Sequence, residues 1–364
     1  MRRVVAERLA GEQTVVLVES AISVLRARRI PDFEERIRPL NSAYSWRYIP
    51  LHFPEKLPGI GRLARLLNQH LLGHELDRLL PPTTPRIICY DSPSQHNLVK
   101  RLREHISIYL AIDDRTLTVT GKSIKGDLDA EQRLLRQVDK VICVSDRLAQ
   151  TLRLRMSSAS RKPVHVLGNG YDERVFDPQR NYPEPEALKG VPKPRILVAG
   201  YVSQRIDWET IRQASLLRPQ WTWVFLGPVE PGSKDRLDSM GGQAFWHPRV
   251  ALTDVPAWIS HSDACAVPYH LNAFTLASHP LKAIEYLAMG IPVVSTRVPS
   301  LLQYGDALMW VDEGDPQAYV SALDRCITES ADPQRREQRR RAVEKASWHY
   351  GMNQFKKTVF SESA

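Results

Sequence analysis

Residues 279–295, HPLKAIEYLAMGIPVVS, constrain this chain more than any other stretch, because they prescribe a helix, a stop and a buried strand in direct succession. Pro280 suits a first helical turn, where a missing N–H loses no bond. Leu281, Ile284, Leu287 and Ala288 recur at helical spacing, and Gly290 supplies the residue type that ends a helix. Ile291 to Val294 is an apolar run rich in β-branched residues, as in a strand covered on both faces. Within this package Lys282 and Glu285 stand three residues apart, on one helix face. A helix start attracts phosphate through its free N–H groups, and Lys282 adds a full positive charge beside it. Glu285 can accept hydrogen bonds from ribose hydroxyls.

The rest of the chain sorts into two βα series. In the first, an amphipathic helix (MRRVVAERLAGEQ, not the pattern of a signal peptide) leads to a strand at 14–19. A Pro- and aromatic-rich stretch over 30–61 is followed by a helix at 62–80. Strands are expected at 86–90, 107–112, 140–145 and 164–167, with a helix at 129–138. Residues 178–194 hold five prolines and read as a linker. The second series has strands at 195–199, 222–226, 264–268, 292–295 and 308–311. Helices alternate with them at 208–217, 255–262, 281–288 and 316–330, and one more is expected at 348–360. Such alternation predicts parallel sheets with crossover helices. No G-x-G-x-x-G follows any strand, which argues against a dinucleotide oxidoreductase.

With 364 residues the chain suits two α/β domains. Its net charge of +9 is uneven: residues 1–177 carry +8 of it, so the first half is the one expected to meet an anionic partner. Among the anionic partners weighed, nucleic acid lacks any helix-turn-helix, zinc or RNA-binding signature. No apolar run is long enough to span a bilayer. The segment 45–67, with Trp46, Tyr48 and Phe53 among basic residues, is the candidate for peripheral contact with an anionic membrane. The run 335–341, RREQRRR, reads as a solvated helix face. Cys89, Cys143, Cys265 and Cys326 are too far apart to form a metal motif. The first three fall in expected strands and are read as buried, reduced thiols of a cytoplasmic protein.

The 279–295 motif resembles the donor-binding motif of GT-B glycosyltransferases. In particular it is similar to the bacterial polysaccharide, teichuronic-acid-type enzymes of glycosyltransferase group 1, which carry P-x-K-x-x-E-Y-L-A-x-G-x-P-V-V. The resemblance implies two Rossmann-like domains with parallel sheets facing across a cleft. The acceptor domain would be 1–177, the linker 178–194 and the nucleotide-sugar domain 195–345, with a helix in 346–364 crossing back to the first domain. Related enzymes place a strand and glycine-rich turn ahead of the first helix; that segment is missing here, so the start reads as truncated or misassigned. The segment Asn169-Gly170-Tyr171-Asp172, with Phe176, resembles the N-G-x-D…F stretch that closes the first domain.

Several residues could carry chemistry. The strand YLAIDD ends in Asp113 and Asp114, and ligands of parallel sheets bind beyond the carboxyl ends of strands. One of these acids is similar to the general base of inverting relatives; Asp113 is favoured and Asp114 is the alternative. The resemblance places Gly200, Tyr201 and Arg205 beside the donor diphosphate, and Arg205 suits bidentate phosphate contact. Tyr269, Asn272 and Ser278 are expected to line the sugar-diphosphate site together with Lys282 and Glu285. His270 and His279 read as surface or cleft-edge residues. The stretch 245–250, FWHPRV, would hold the base through its backbone, leaving Trp246 as either core or stacking partner. The first of two glutamates common in this fold is replaced by Ala277, which leaves the stereochemistry open.

The function implied is transfer of a sugar from a UDP- or GDP-sugar to a saccharide or lipid-linked saccharide, with no metal and no cofactor beyond the donor. Expected partners are the donor, that acceptor and an anionic membrane at the inner face, but not nucleic acid. A nucleotide-sugar epimerase of the same fold and a non-catalytic glycan- or partner-binding protein are the rival readings.

Overall fold

In a computed structural model the chain divides into two compact units. One comprises Met1–Ala111, Gly126–Ile142 and Arg155–Val164; the other comprises Ile112–Lys125, Cys143–Leu154 and His165–Ala364. The structure describes residues 2–19, 21–24, 29–40, 45–54, 61–81, 83–156 and 162–360. Part of the proposed membrane segment, 55–60, lies outside the described residues.

The first half opens with α1 (Arg2–Leu9) and five short strands, β1 (Val16–Val18), β2 (Ile22–Ser23), β3 (Ile37–Pro39), β4 (Trp46–Tyr48) and β5 (Leu51–His52). They pair as β1-β4-β3 and β2-β5. The Pro-rich stretch is therefore partly strand, which its prolines concealed. Tyr48 is fully buried and its hydroxyl accepts from Arg36, so this aromatic is not available to a membrane. The helix α2 (Gly61–Leu79) leads into a four-stranded sheet, β6-β7-β8-β9, from β6 (Ile87–Tyr90), β7 (Ile106–Ala111), β8 (Lys140–Cys143) and β9 (Val164–Val166). The connecting helices are α3 (Asp127–Gln137) and α4 (Asp146–Arg155). Cys89, expected to be buried, is exposed on β6; Cys143, Cys265 and Cys326 are the buried thiols, all free.

The second half is a six-stranded parallel sheet built from β10 (Arg195–Ala199), β11 (Thr222–Leu226), β12 (Ala244–His247), β13 (Ala264–Val267), β14 (Val293–Thr296) and β15 (Leu308–Val311). Its order is β12-β11-β10-β13-β14-β15, the doubly wound arrangement that reverses direction between β10 and β13. Helices α5 (Trp208–Leu217), α6 (Pro231–Asp238), α7 (Val255–Ser260), α8 (Ala273–Ala277), α9 (Leu281–Ala288) and α10 (Pro316–Glu329) connect the strands, and α11 (Pro333–Val343) and α12 (Trp348–Phe360) follow. One apolar core packs α7 and α9 on one face of the sheet; another packs α5 and α10 on the other. Residues 245–247, to which the sequence assigns no strand, form part of the edge strand β12, because its partner β11 needs only backbone groups to extend the sheet.

The proline-rich linker is packed rather than free. Leu188 is fully buried in the core beside α9, and Arg195 donates to the carboxylate of Glu184 and the carbonyl of Leu188. The basic run on α11 is also only partly solvated: Arg339 is buried and donates to the carbonyl of Gly290, just past α9. Trp348 at the start of α12 donates its N–H to Tyr171.

Candidate active site

The strand order reverses between β10 and β13, and ligands of doubly wound sheets bind beyond the carboxyl ends of the strands at such a point. The chain fills both edges of that point with the residues singled out from sequence. After β10 comes Gly200, whose φ of +123° favours glycine. After β11 comes Gly227, at φ +139°; a Cβ there would lie 2.0 Å from the Gly200 carbonyl oxygen. Two glycines thus let two loops touch through bare backbone.

The loop after β10 is zipped to the segment after β13. The Asp207 N–H donates to Pro268, the His270 N–H donates to Arg205, and Ile206 bridges Tyr269. Asp207 then caps α5 by accepting from Thr210. This places the Arg205 guanidinium over the Tyr269 ring, 4.9 Å from its centre. Arg205 pairs with no carboxylate among the described residues, because Asp207 is spent on its cap and Glu209 on Arg212. Its Nε is buried without a partner. Tyr201, next to it, is exposed.

The helix α9 supplies the other cation. Lys282 is held 2.7 Å from Glu285, and its stem lies against Gly200. Glu285 is almost fully buried, 3% exposed, whereas Lys282 is 24% exposed. The next residue, Tyr286, was not anticipated: its buried hydroxyl accepts the Ala199 N–H at 2.7 Å and so fixes α9 against the end of β10. Nothing in the sequence separates that tyrosine from ordinary core.

Asp113 and Asp114 belong to the same compact unit as these residues. Asp114 is buried and accepts from the N–H and hydroxyl of Thr116, a local turn. Asp113 is half-buried, and burial raises its pKa above the usual carboxylate range, opposed by the positive charges of Arg115 and Arg205. The two acids, alike in sequence, are thus separated by environment.

Other expected residues are occupied. The Asn272 carbonyl oxygen caps α8 and its amide donates to Val119; the Ser278 hydroxyl donates to Thr275. Both have structural work that a donor contact would have to share. His270, read as a surface or cleft-edge residue, is part-exposed and its Nδ1 donates to the Glu313 carboxylate at 2.6 Å. His279, read as a surface or cleft-edge residue, is 5% exposed; its Nδ1 accepts the Asn169 N–H, and burial pushes its pKa down to about 4. Trp246 is not core: it is exposed on β12 and donates to the Gly227 carbonyl. Among the described residues Asp207, His270 and Glu313 converge closely enough to hold a metal ion. The caps and hydrogen bonds just described already account for that cluster.

Known proteins share this fold. Residues 193–329 match the family model Glycosyl transferases group 1. Over 309 residues the chain is 25% identical to the teichuronic acid biosynthesis glycosyltransferase TuaH of Bacillus subtilis strain 168, covering 81% of this chain and 78% of TuaH. Sucrose-phosphate synthase from Thermosynechococcus elongatus shares the fold with a TM-score of 0.72 at 18% identity, over 98% of this chain and 90% of its own. Anabaena HepE in complex with UDP does so at 0.60 and 15%, over 86% of each chain. The fold is GT-B. Over residues 193–329 the chain is similar to group 1 glycosyltransferases, and this match together with that to TuaH supports glycosyltransferase activity.

Proposed function

We propose that the protein moves a sugar from a UDP- or GDP-sugar to a hydroxyl of a saccharide or lipid-linked saccharide, with Asp113 as the base and without a metal ion. The observation that carries this reading is the environment of Asp113: a half-buried carboxylate of raised pKa, in one compact unit with Arg205 at the switch point. Asp113 takes the proton from the acceptor hydroxyl as its oxygen bonds to the anomeric carbon. The bond from that carbon to the diphosphate oxygen breaks, and the diphosphate leaves with the electron pair. Arg205, Lys282 and the N–H groups at the start of α9 meet the negative charge that develops there. Gly200 and Gly227 let the backbone approach the diphosphate, Tyr201 and Tyr269 flank Arg205, and the ribose hydroxyls meet Glu285. Attack assisted by a base corresponds to inversion at the anomeric carbon.

The name of TuaH supports a bacterial polysaccharide as the product, and the HepE complex supports a uridine nucleotide. The excess of cations in residues 1–177 supports work at an anionic membrane face, where lipid-linked acceptors reside. No helix among the described residues is long and apolar enough to cross a membrane.

The test is calorimetric titration with UDP, GDP, dTDP and ADP, with and without Mg²⁺. One diphosphate binding selectively without metal is the expected result. Binding of none would favour a non-catalytic GT-B protein. Turnover of a nucleotide-sugar with no acceptor present would favour an epimerase.

A further inference from the structure

The segment that carries Asp113 continues as a small hairpin with a fixed shape. Asp114 turns back onto Thr116, Leu117 bridges Ser123, and the Ile124 N–H donates to the Thr116 carbonyl. Asn272 clamps the far end: its amide donates to Val119 at 3.1 Å, and its side chain lies against Gly121, at φ +79°. The hairpin is therefore held at its root and near its tip.

What it presents to solvent is cationic. Arg115, Lys122 and Lys125 are all exposed, and among the described residues none of them forms an ion pair. Arg115 stands two residues from Asp113 on the same turn, and its charge acts on that carboxylate. The donor diphosphate does not need Arg115, because Arg205 and Lys282 already stand at the switch point and at the start of α9. A hydroxyl approaching Asp113 must bring the rest of its molecule past this guanidinium.

Resting on the glycosyl-transfer reading above, we propose that the acceptor is anionic and that Arg115 holds its phosphate or carboxylate while Asp113 receives the hydroxyl proton. A guanidinium offers two parallel N–H groups to either anion, and such charge-assisted pairs are stronger and more directional than neutral hydrogen bonds. Lys122 and Lys125 add attraction that salt screens. The negative charge sits close to the accepting hydroxyl, either in a diphosphate linking that sugar to a lipid or in the carboxylate of a uronic acid.

Full-length protein saturated with UDP would be titrated with three probes: octyl glucuronide, citronellyl-diphospho-N-acetylglucosamine and the neutral octyl glucoside. The expected result is at least about tenfold tighter binding of one anionic probe than of octyl glucoside, and its identity tells carboxylate from diphosphate. Arg115→Gln should erase that preference, Arg115→Lys should keep part of it, and neither should change UDP affinity or melting temperature. Equal binding of all three probes by the wild type overturns the proposal, as does an equal loss for all three in Arg115→Gln. A variant that shifts only the acid limb of the rate profile and keeps the preference also overturns it, making Arg115 a positioning residue for Asp113. Failure of the parent reading looks different: no nucleoside diphosphate binds, whatever the probes do.

Discussion

Asp113 and Asp114 show how environment divides labour between neighbours of identical chemistry. Asp114 is consumed by its turn with Thr116, whereas Asp113 keeps an open carboxylate whose pKa burial has raised. A base must be ionised to work, so activity should rise with pH through that raised value, and the acid limb should lie above the ordinary carboxylate range. Asp113→Asn should remove this limb and lower kcat by about 10²–10⁴-fold, the usual contribution of a general base, while calorimetry finds nucleoside diphosphate affinity kept. Lys282→Ala tests the opposite function. It should weaken diphosphate binding about 10- to 100-fold, equivalent to the ~1.5–3 kcal/mol of a hydrogen bond to a charged group, with the fold intact by circular dichroism. His279 makes a prediction about stability rather than rate. Its pKa is depressed by burial to about 4 in the folded protein, against an ordinary histidine value of 6.5. Between these values the unfolded chain binds the proton and the folded one does not, so this stabilisation is present above pH 6.5 and is lost as pH falls toward 4. The loss is bounded at about 3 kcal/mol. Urea melts at pH 7 and pH 4.5 should therefore converge in His279→Gln relative to wild type.

At the scale of elements, α9 is specified at both ends. Pro280 precedes it, and its exit is a Schellman turn: the Gly290 N–H donates to Leu287 and the Ile291 N–H to Tyr286, with Gly290 at φ +75°. That stop sends the chain directly into β14. The loops after β10 and β11 depend on glycine for a different reason, which is contact. A methyl group at 227 would collide with the Gly200 carbonyl, and its backbone angle resists any L side chain. Gly227→Ala should destabilise the protein by about 2 kcal/mol or more and weaken diphosphate binding, both readable in one thermal-shift series with and without ligand. The edge strand β12 shows the limit of pattern reading. AFWH has no alternation of polar and apolar side chains, and only the neighbouring β11, through its backbone, makes it a strand.

For the whole molecule, ligand linkage gives the broadest prediction. A nucleoside diphosphate that binds only the folded state should stabilise it by about 2.7 kcal/mol at a hundredfold excess over Kd. An unchanged melting temperature with all four diphosphates would contradict a donor site. The division of the chain was the least legible feature. The sequence suggests a boundary between 177 and 178, yet Ile112–Lys125, Cys143–Leu154 and the residues from His165 onward group with the second half. Ser145 donating to Ala277, Asn169 meeting His279 and Asn272 holding Val119 are among the contacts that join them, and none leaves a mark in local sequence. By itself the sequence determined most strands and helices of the second half and the class of enzyme, since periodicity, glycine stops and the motif at 279–295 are properties of consecutive residues. Only the tertiary structure decided which aspartate stays open, that His279 is buried, that the linker is core, and that Arg115 is exposed with no ion pair among the described residues. Those outcomes depend on burial and, for His279, on Asn169 at a separation of 110 residues, which no local pattern encodes.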